Sequence, residues 1–295
     1  MPLPEPWLGD LYESEPENGA QPSIRPKNSL QQKKDRRAKM LMLYGLLICL
    51  GLFLGYWIIQ YLINNSAIVD VFWAASVAVV GVFFVCYTPG DLSRRWLLGI
   101  MVAVWAARLS FYLFLRWKGH EEDARYTDLK EKWGESAQLR MLRFYQMQGL
   151  GAYLFSLPIL VAGYNPNPIG FLDYVGVAIW LTSLIGETVA DRQLAKFKSN
   201  PDNRGEVCKV GLWKYSRHPN YFFEWLHWCA YVPMSLMVPW GWLTVIAPIA
   251  MYIFLNRVTG IPLTEKQAVK SRGEKYREYQ RTTNAFFPWF PTTES

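Results

Sequence analysis

Seven apolar runs alternate with polar, charge-dense connections along this chain: 40–62, 67–87, 95–116, 144–164, 170–190, 221–239 and 241–257. A helix that spans a bilayer needs about 20 predominantly apolar residues. The pattern therefore predicts an all-α, polytopic transmembrane helical bundle of about seven spans. The last two runs are short and meet at Pro239, Trp240 and Gly241, so a tilted or re-entrant final pair, giving six spans, is the alternative reading. Residues 1–39 are rich in Pro, Glu and Lys and lack periodicity. They are read as a disordered tail that closes on the basic cluster Lys33–Lys39, ahead of a membrane-embedded domain over 40–291. The first apolar run lies behind that polar tail, so no secretory leader is expected.

The distribution of Lys and Arg orients the bundle. Loops 116–143 and 191–220 and the tail from 257 onward carry seven each, twenty-one in all, against nine on the other side. Cytoplasmic loops hold the excess of cations. The three segments and the C-terminus are thus predicted to be cytoplasmic, in a bacterial inner membrane or the endoplasmic reticulum. Composition agrees: 51% of the residues are hydrophobic, 16% are aromatic, and 14 Trp suit interfacial belts. The mean hydropathy of only +0.01 reflects segregation rather than solubility. In this setting the net charge of +7 reflects loop bias. No nucleic-acid-binding signature is present. Cys49, Cys86, Cys208 and Cys229 form no C-x-x-C pair and imply neither a metal site nor a disulfide framework.

The densest chemistry lies at 215–224, Tyr-Ser-Arg-His-Pro-Asn-Tyr-Phe-Phe-Glu, where a basic loop meets an apolar run. Asn220 and Glu224 are four apart and share a helix face. A carboxylate inside such a run costs about 2.5–3.5 kcal/mol unless it is partnered. A capped helix end with a snorkelling acid is the plain structural reading, but Arg217, His218 and Asn220 beside the acid favour a site. Asp70, Arg108, Gln148 and Glu187 also fall in or near spans, Asp191 lies one turn beyond Glu187, and Tyr145 shares a face with Gln148. Structural interhelical bonds account for any one of these; together they predict a polar cavity. Asp70 is placed close to the extracellular end of its span. The clustered loops form a cationic surface suited to an anionic, phosphate-bearing cofactor. With no Gly-rich phosphate loop, side chains must do the holding.

Gly-Leu-Trp-Lys-Tyr-Ser-Arg-His-Pro-Asn-Tyr (211–221) followed by Glu224 resembles the C-terminal part of membrane steroid 5α-reductases and sterol reductases, and most of all their bacterial-type 5α-reductase-like branch. Glu122-Asp-Ala-Arg-Tyr126, Asp191 to Lys198, and the tail from Glu274 to Phe290 match that pattern too, so the resemblance covers about 60–291. It implies an oxidoreductase that uses NADPH to reduce a carbon–carbon double bond in a steroid, sterol or other isoprenoid-like lipid. By position, Asn220 and Glu224 would hold the nicotinamide amide, and Asp191 and Lys198 the adenosine diphosphate. Tyr215, Arg217, His218 and Tyr221 lie in the same cofactor-facing stretch, with Arg125 and Arg281 as further phosphate partners. Asp70 matches the family's second-span acid. The third-span tyrosine that accompanies that acid falls near Trp105 and is missing, which leaves Tyr145 as the reserve proton donor. Two other readings stand beside this one. Isoprenylcysteine and phospholipid methyltransferases, which use S-adenosylmethionine, carry a similar Arg-His-Pro-x-Tyr motif. A lipid-binding scaffold without activity is the other.

Overall fold

A computed structural model describes residues 27–118, 122 and 124–292, with side chains from residue 32 onward except those of 124 and 125. Among the described residues the chain is all helical, without strands. The helices are α1 (Lys27–Ile63), α2 (Ile68–Tyr87), α3 (Leu92–Trp117), α4 (Ala124–Trp133), α5 (Ala137–Gly163), α6 (Phe171–Ser199), α7 (Pro219–Ser235), α8 (Ile246–Ile253), α9 (Ile261–Arg272) and α10 (Glu274–Thr282). Every apolar run read from the sequence falls on a helix. Five segments are long and apolar enough to cross a membrane: 32–63, 68–87, 92–117, 171–199 and 241–272. Helix α7, with 17 residues, is shorter than the usual span.

The chain divides into Met1–Met40 and Leu41–Ser295. In the first unit the described residues are helical from Lys27, so the irregular tail expected up to residue 39 does not hold for 27–39. The reason is local: Lys, Gln, Arg, Leu and Ala, which dominate this stretch, are all strong helix formers. The remainder of that tail, 1–26, lies outside the described residues.

In the second unit the helices run antiparallel around a core in which Phe53, Phe84, Leu98, Trp105, Tyr145 and Trp228 are fully buried. The two ends of this bundle differ. One end gathers the α2–α3, α5–α6 and post-α7 connections. Gly90 packs there so closely that a Cβ would lie 2.3 Å from the Gly163 carbonyl oxygen, which only glycine permits. Arg94 and Asp173, each 3% exposed, form an ion pair at that end. The guanidinium also donates to the carbonyls of Asn167 (3.2 Å), Pro168 (3.0 Å) and Met234 (3.4 Å), and so ties three connections together. The other end gathers the α1–α2 turn, α4, the α6–α7 connection and the tail. Ser66 N donates to Glu122 (2.6 Å), and Arg217 N donates to the Asn284 carbonyl (2.9 Å).

Replacing Asp173 by Asn leaves a buried guanidinium without a counter-charge, which typically costs about 3–5 kcal/mol. We expect a marked drop in the thermal midpoint of the detergent-solubilised protein. A midpoint within error of wild type would mean that the three carbonyls suffice.

Candidate functional site at the loop end

Helices α3, α6 and α7 each aim a pair of polar side chains at one buried point. The pairs are Trp105 and Arg108, Glu187 and Asp191, and Asn220 and Glu224. Spacings of three and four put each pair on one helix face. Pro219 at the first helical position sets the start of α7, so Asn220 and Glu224 fall one turn apart at its mouth. Arg108 bridges the two acids of α6: its Nη1 is 2.5 Å from Glu187 Oε1 and its Nη2 donates to Asp191 Oδ2. Asn220 Nδ2 donates to Asp191 Oδ1 at 3.3 Å. Glu224 accepts one indole N–H on each oxygen, from Trp105 (2.9 Å) and from Trp228 (3.1 Å). His227 stacks on Trp105 with ring centroids 4.4 Å apart; its Nε2 lies 3.3 Å from the Tyr231 hydroxyl, and its Nδ1 is buried without a partner.

The pocket continues outward along cations. Tyr112 lies between the guanidinium groups of Arg108 (5.6 Å) and Arg116 (5.9 Å). The charge of Arg116 acts on both Asp191 and Lys198, and that of Arg272 acts on Lys198. Three cations from α3, α6 and α9 thus lie beyond the buried cluster, Arg116 and Lys198 exposed and Arg272 half-buried.

The rest of the 215–224 motif points elsewhere. Arg217 Nε donates to Glu265 (2.7 Å) and its Nη1 to the carbonyls of Gln280 (3.0 Å) and Thr283. His218 Nε2 reaches Glu265 at 3.2 Å, and Gln280 donates to the same carboxylate at 2.7 Å. Tyr221 stacks on His218 and touches Thr264. The Tyr215 carbonyl accepts from Trp289 N at 2.9 Å. These four residues join the α6–α7 loop to α9, α10 and the tail, away from the pocket. Arg281 pairs with Glu274 at 2.8 Å on the surface of α10 and lines a polar cavity of about 330 Å³ together with Arg217. The side chain of Arg125 lies outside the described residues. An apolar cavity of about 540 Å³ opens between α7 and α8 around Trp225, Cys229 and Tyr252. Cys229 is five residues from Glu224, about 140° around the helix, so this cavity is separate from the polar site.

Asp70 and Tyr145 do come together, in a second cluster. Tyr126 Oη donates to Asp70 (3.0 Å), and Tyr145 Oη donates to the Ser66 carbonyl (2.9 Å). Ser66 in turn binds Glu122 and, through Oγ, Gln60 (2.9 Å). This corrects the expected position of Asp70 at the end remote from the basic loops. The α1–α2 turn packs against Glu122 and α4, so Asp70 lies at the same end as the basic loops.

Sequence reasoning named Arg108 and Glu187 only as polar residues in spans. It missed Trp105, Trp228, His227 and Glu265 as partners. Trp228 and His227, at i+4 and i+3 from Glu224, could have been found from helix spacing. Glu265 could not, because its partners are 47 and 48 positions away in sequence.

This arrangement defines an all-helical protein with membrane-spanning helices and a buried polar site at one end. Residues 56–283 match the family described as "Protein of unknown function (DUF1295)", and the chain belongs to that family. It is 23% identical over 278 residues to "Uncharacterized protein C594.04c" of Schizosaccharomyces pombe, across 83% of this chain and 78% of that protein. No solved structure matches.

Burial holds the His218 imidazole below its ordinary pKa, and the bond to Glu265 offsets this only in part. The folded protein therefore refuses a proton that the unfolded chain accepts. The stability due to neutral His218 is complete above the unfolded value, about 6.5, and is lost as pH falls below it. Melting curves between about pH 7.5 and pH 5 should show this loss, and His218→Gln should flatten it; equal slopes in the two proteins would refute the assignment.

Proposed function

We propose that this protein is a membrane-embedded, NADPH-dependent reductase of a carbon–carbon double bond in a steroid, sterol or other isoprenoid-like lipid. The carrying observation is the convergence of Asn220, Glu224 and Arg108 on a buried point, with the cations Arg116, Lys198 and Arg272 beyond it. That layout suits a dinucleotide with one uncharged amide end and one phosphate end. The fit can be tested on the donors present. Each Glu224 oxygen accepts one indole N–H and keeps a lone pair for an amide N–H. Glu187 Oε2 is buried with no partner. Lys198 faces two arginines rather than an acid, which phosphate charge would relieve.

In this reading Asn220 and Glu224 orient the carboxamide, and Asp191 fixes Asn220 and Arg108. Lys198, Arg116 and Arg272 hold phosphate, at the face we assign to the cytoplasm. Bound NADPH would supply a hydride to one carbon of the double bond. Asp70, with Tyr126 hydrogen-bonded to it, would answer the charge that develops on the lipid. Tyr126 then takes the part of the missing third-span tyrosine. Tyr145 anchors the adjacent Ser66 turn and remains the reserve donor. Six or seven spans accommodate this scheme equally.

A second reading follows from the acids. Three carboxyl groups around Arg108 would also suit a sulfonium, as in an S-adenosylmethionine-dependent methyltransferase of isoprenylcysteine or phospholipid.

Titration of the solubilised protein distinguishes these. We expect NADPH to bind more tightly than NADH, and both Asn220→Ala and Glu224→Ala to lose affinity while the bundle stays folded. Tight S-adenosylmethionine binding without NADPH binding would replace the reductase reading with the methyltransferase one, and binding of neither would favour a scaffold. Once a substrate is in hand, Asp70→Asn should slow turnover roughly 10²–10⁴-fold with NADPH affinity unchanged.

A further inference from the structure

Three buried atoms of the polar cluster have no hydrogen-bond partner: Arg108 Nη1, which is ion-paired with Glu187 Oε1, His227 Nδ1 and Glu187 Oε2. Four ionisable carboxyl or guanidinium groups meet there, Arg108 from α3, Glu187 and Asp191 from α6, and Glu224 from α7, and the exposed Arg116 acts on Asp191 from outside and is counted with them. Fully ionised, they carry one negative charge in excess. In an interior of low dielectric, an uncompensated carboxylate is costly and takes a proton instead.

The carboxyl groups differ in how well they are held as anions. Glu224 has two indole donors. Asp191 has the Arg108 and Asn220 donors. Glu187 has only the contact of Oε1 with Arg108 Nη1, at 2.5 Å, and its Oε2 has no donor at all. Glu187 is 4% exposed, so bulk solvent does not reach it.

His227 is the other group that could carry the compensating proton. Its Nδ1 has no acceptor in reach and its ring lies flat on Trp105. An imidazolium there would bury an unpaired N–H together with its charge. Tyr112, stacked by Arg108, and Tyr231, in contact with His227, also face the site.

We infer that Glu187 stays protonated at neutral pH and presents its Oε2 hydroxyl as a hydrogen-bond donor to the pocket's ligand, at an uncharged acceptor such as a carboxamide carbonyl. The inference rests on the dinucleotide reading for the identity of that ligand, but not for the proton itself. It makes Glu187 a positioning residue: Arg108 orients one oxygen and leaves the other to the ligand. Glutamine is the isostere of the neutral acid, keeps a donor at that position, and can still accept from Arg108.

Two measurements on the full-length protein in detergent test this. The first is the infrared difference between wild type and Glu187→Gln without ligand at neutral pH. We expect the variant to lose a protonated-carboxyl C=O band; a difference spectrum that lacks this loss, or that shows loss of a carboxylate pair of bands, overturns the inference. The second is NADPH affinity. Glu187→Gln should stay within about threefold of wild type, and Glu187→Ala should lose about tenfold, the scale of one hydrogen bond. Equal losses in both variants would overturn the donor role. Absence of NADPH binding by wild type would overturn the dinucleotide reading and with it the proposed ligand, while the infrared comparison still decides the proton.

Discussion

A guanidinium buried in the third helix has to be answered by anions, and α6 answers Arg108 with two, one turn apart. The consequences run round a ring. Asp191, held by Arg108, takes Asn220 and so fixes the first turn of α7. Glu224, one turn further on, accepts from Trp105, which lies on the same α3 face as Arg108. Helix α3 thus binds α6, α6 binds α7, and α7 returns to α3. Bonds of this kind in a membrane interior average only about 0.6 kcal/mol each. A closed ring nevertheless fixes the rotation of all three helices, because no one of them can turn without breaking contacts to both neighbours.

The far end of the bundle shows what the same chemistry looks like when it is purely structural. Arg94 meets one acid, Asp173, and its other Nη hydrogens go to backbone carbonyls of the connections it ties. Charge is balanced one to one. Arg94 leaves only its Nε without a partner, whereas at the loop end the acids outnumber the guanidinium they share, Arg108 Nη1, Glu187 Oε2 and His227 Nδ1 lack hydrogen-bond partners, and two indoles are spent on a single carboxylate. Stability alone would favour balance or an apolar filling. An unbalanced, partly unsatisfied polar cluster is better explained by a ligand that completes it.

The apolar runs were legible because burial in lipid demands length, and each run became a helix. The 215–224 motif reads in the sequence as one cluster, whereas in the fold its side chains divide between two. Its residues before Pro219 turn to the tail, and Asn220 and Glu224 turn inward. The division is made by the start of α7 and by Glu265, a partner set by tertiary packing. The depth of Asp70 was misjudged although alternation of the spans already puts the 63–66 connection on the side of the basic loops, where the bond of Ser66 to Glu122 holds it. Trp105 read as a gap in a familiar pattern. In the fold it is the group that holds Glu224.

The corrected position of Asp70 moves the constraint on the chemistry from depth to direction. Ser110 donates to the Val71 carbonyl of α2 at 2.9 Å, whereas Arg108 reaches α6. The two residues are about 200° apart around α3, so they face opposite neighbours. Helix α3 therefore stands between the Asp70–Tyr126 cluster and the Arg108 pocket. A substrate that engages both must pass over the loop-end turns of α3, beside Tyr112 and Arg116, rather than through the bundle. An acid on the pocket's own side of α3 meets no such barrier, and Glu187, ion-paired with Arg108, is one.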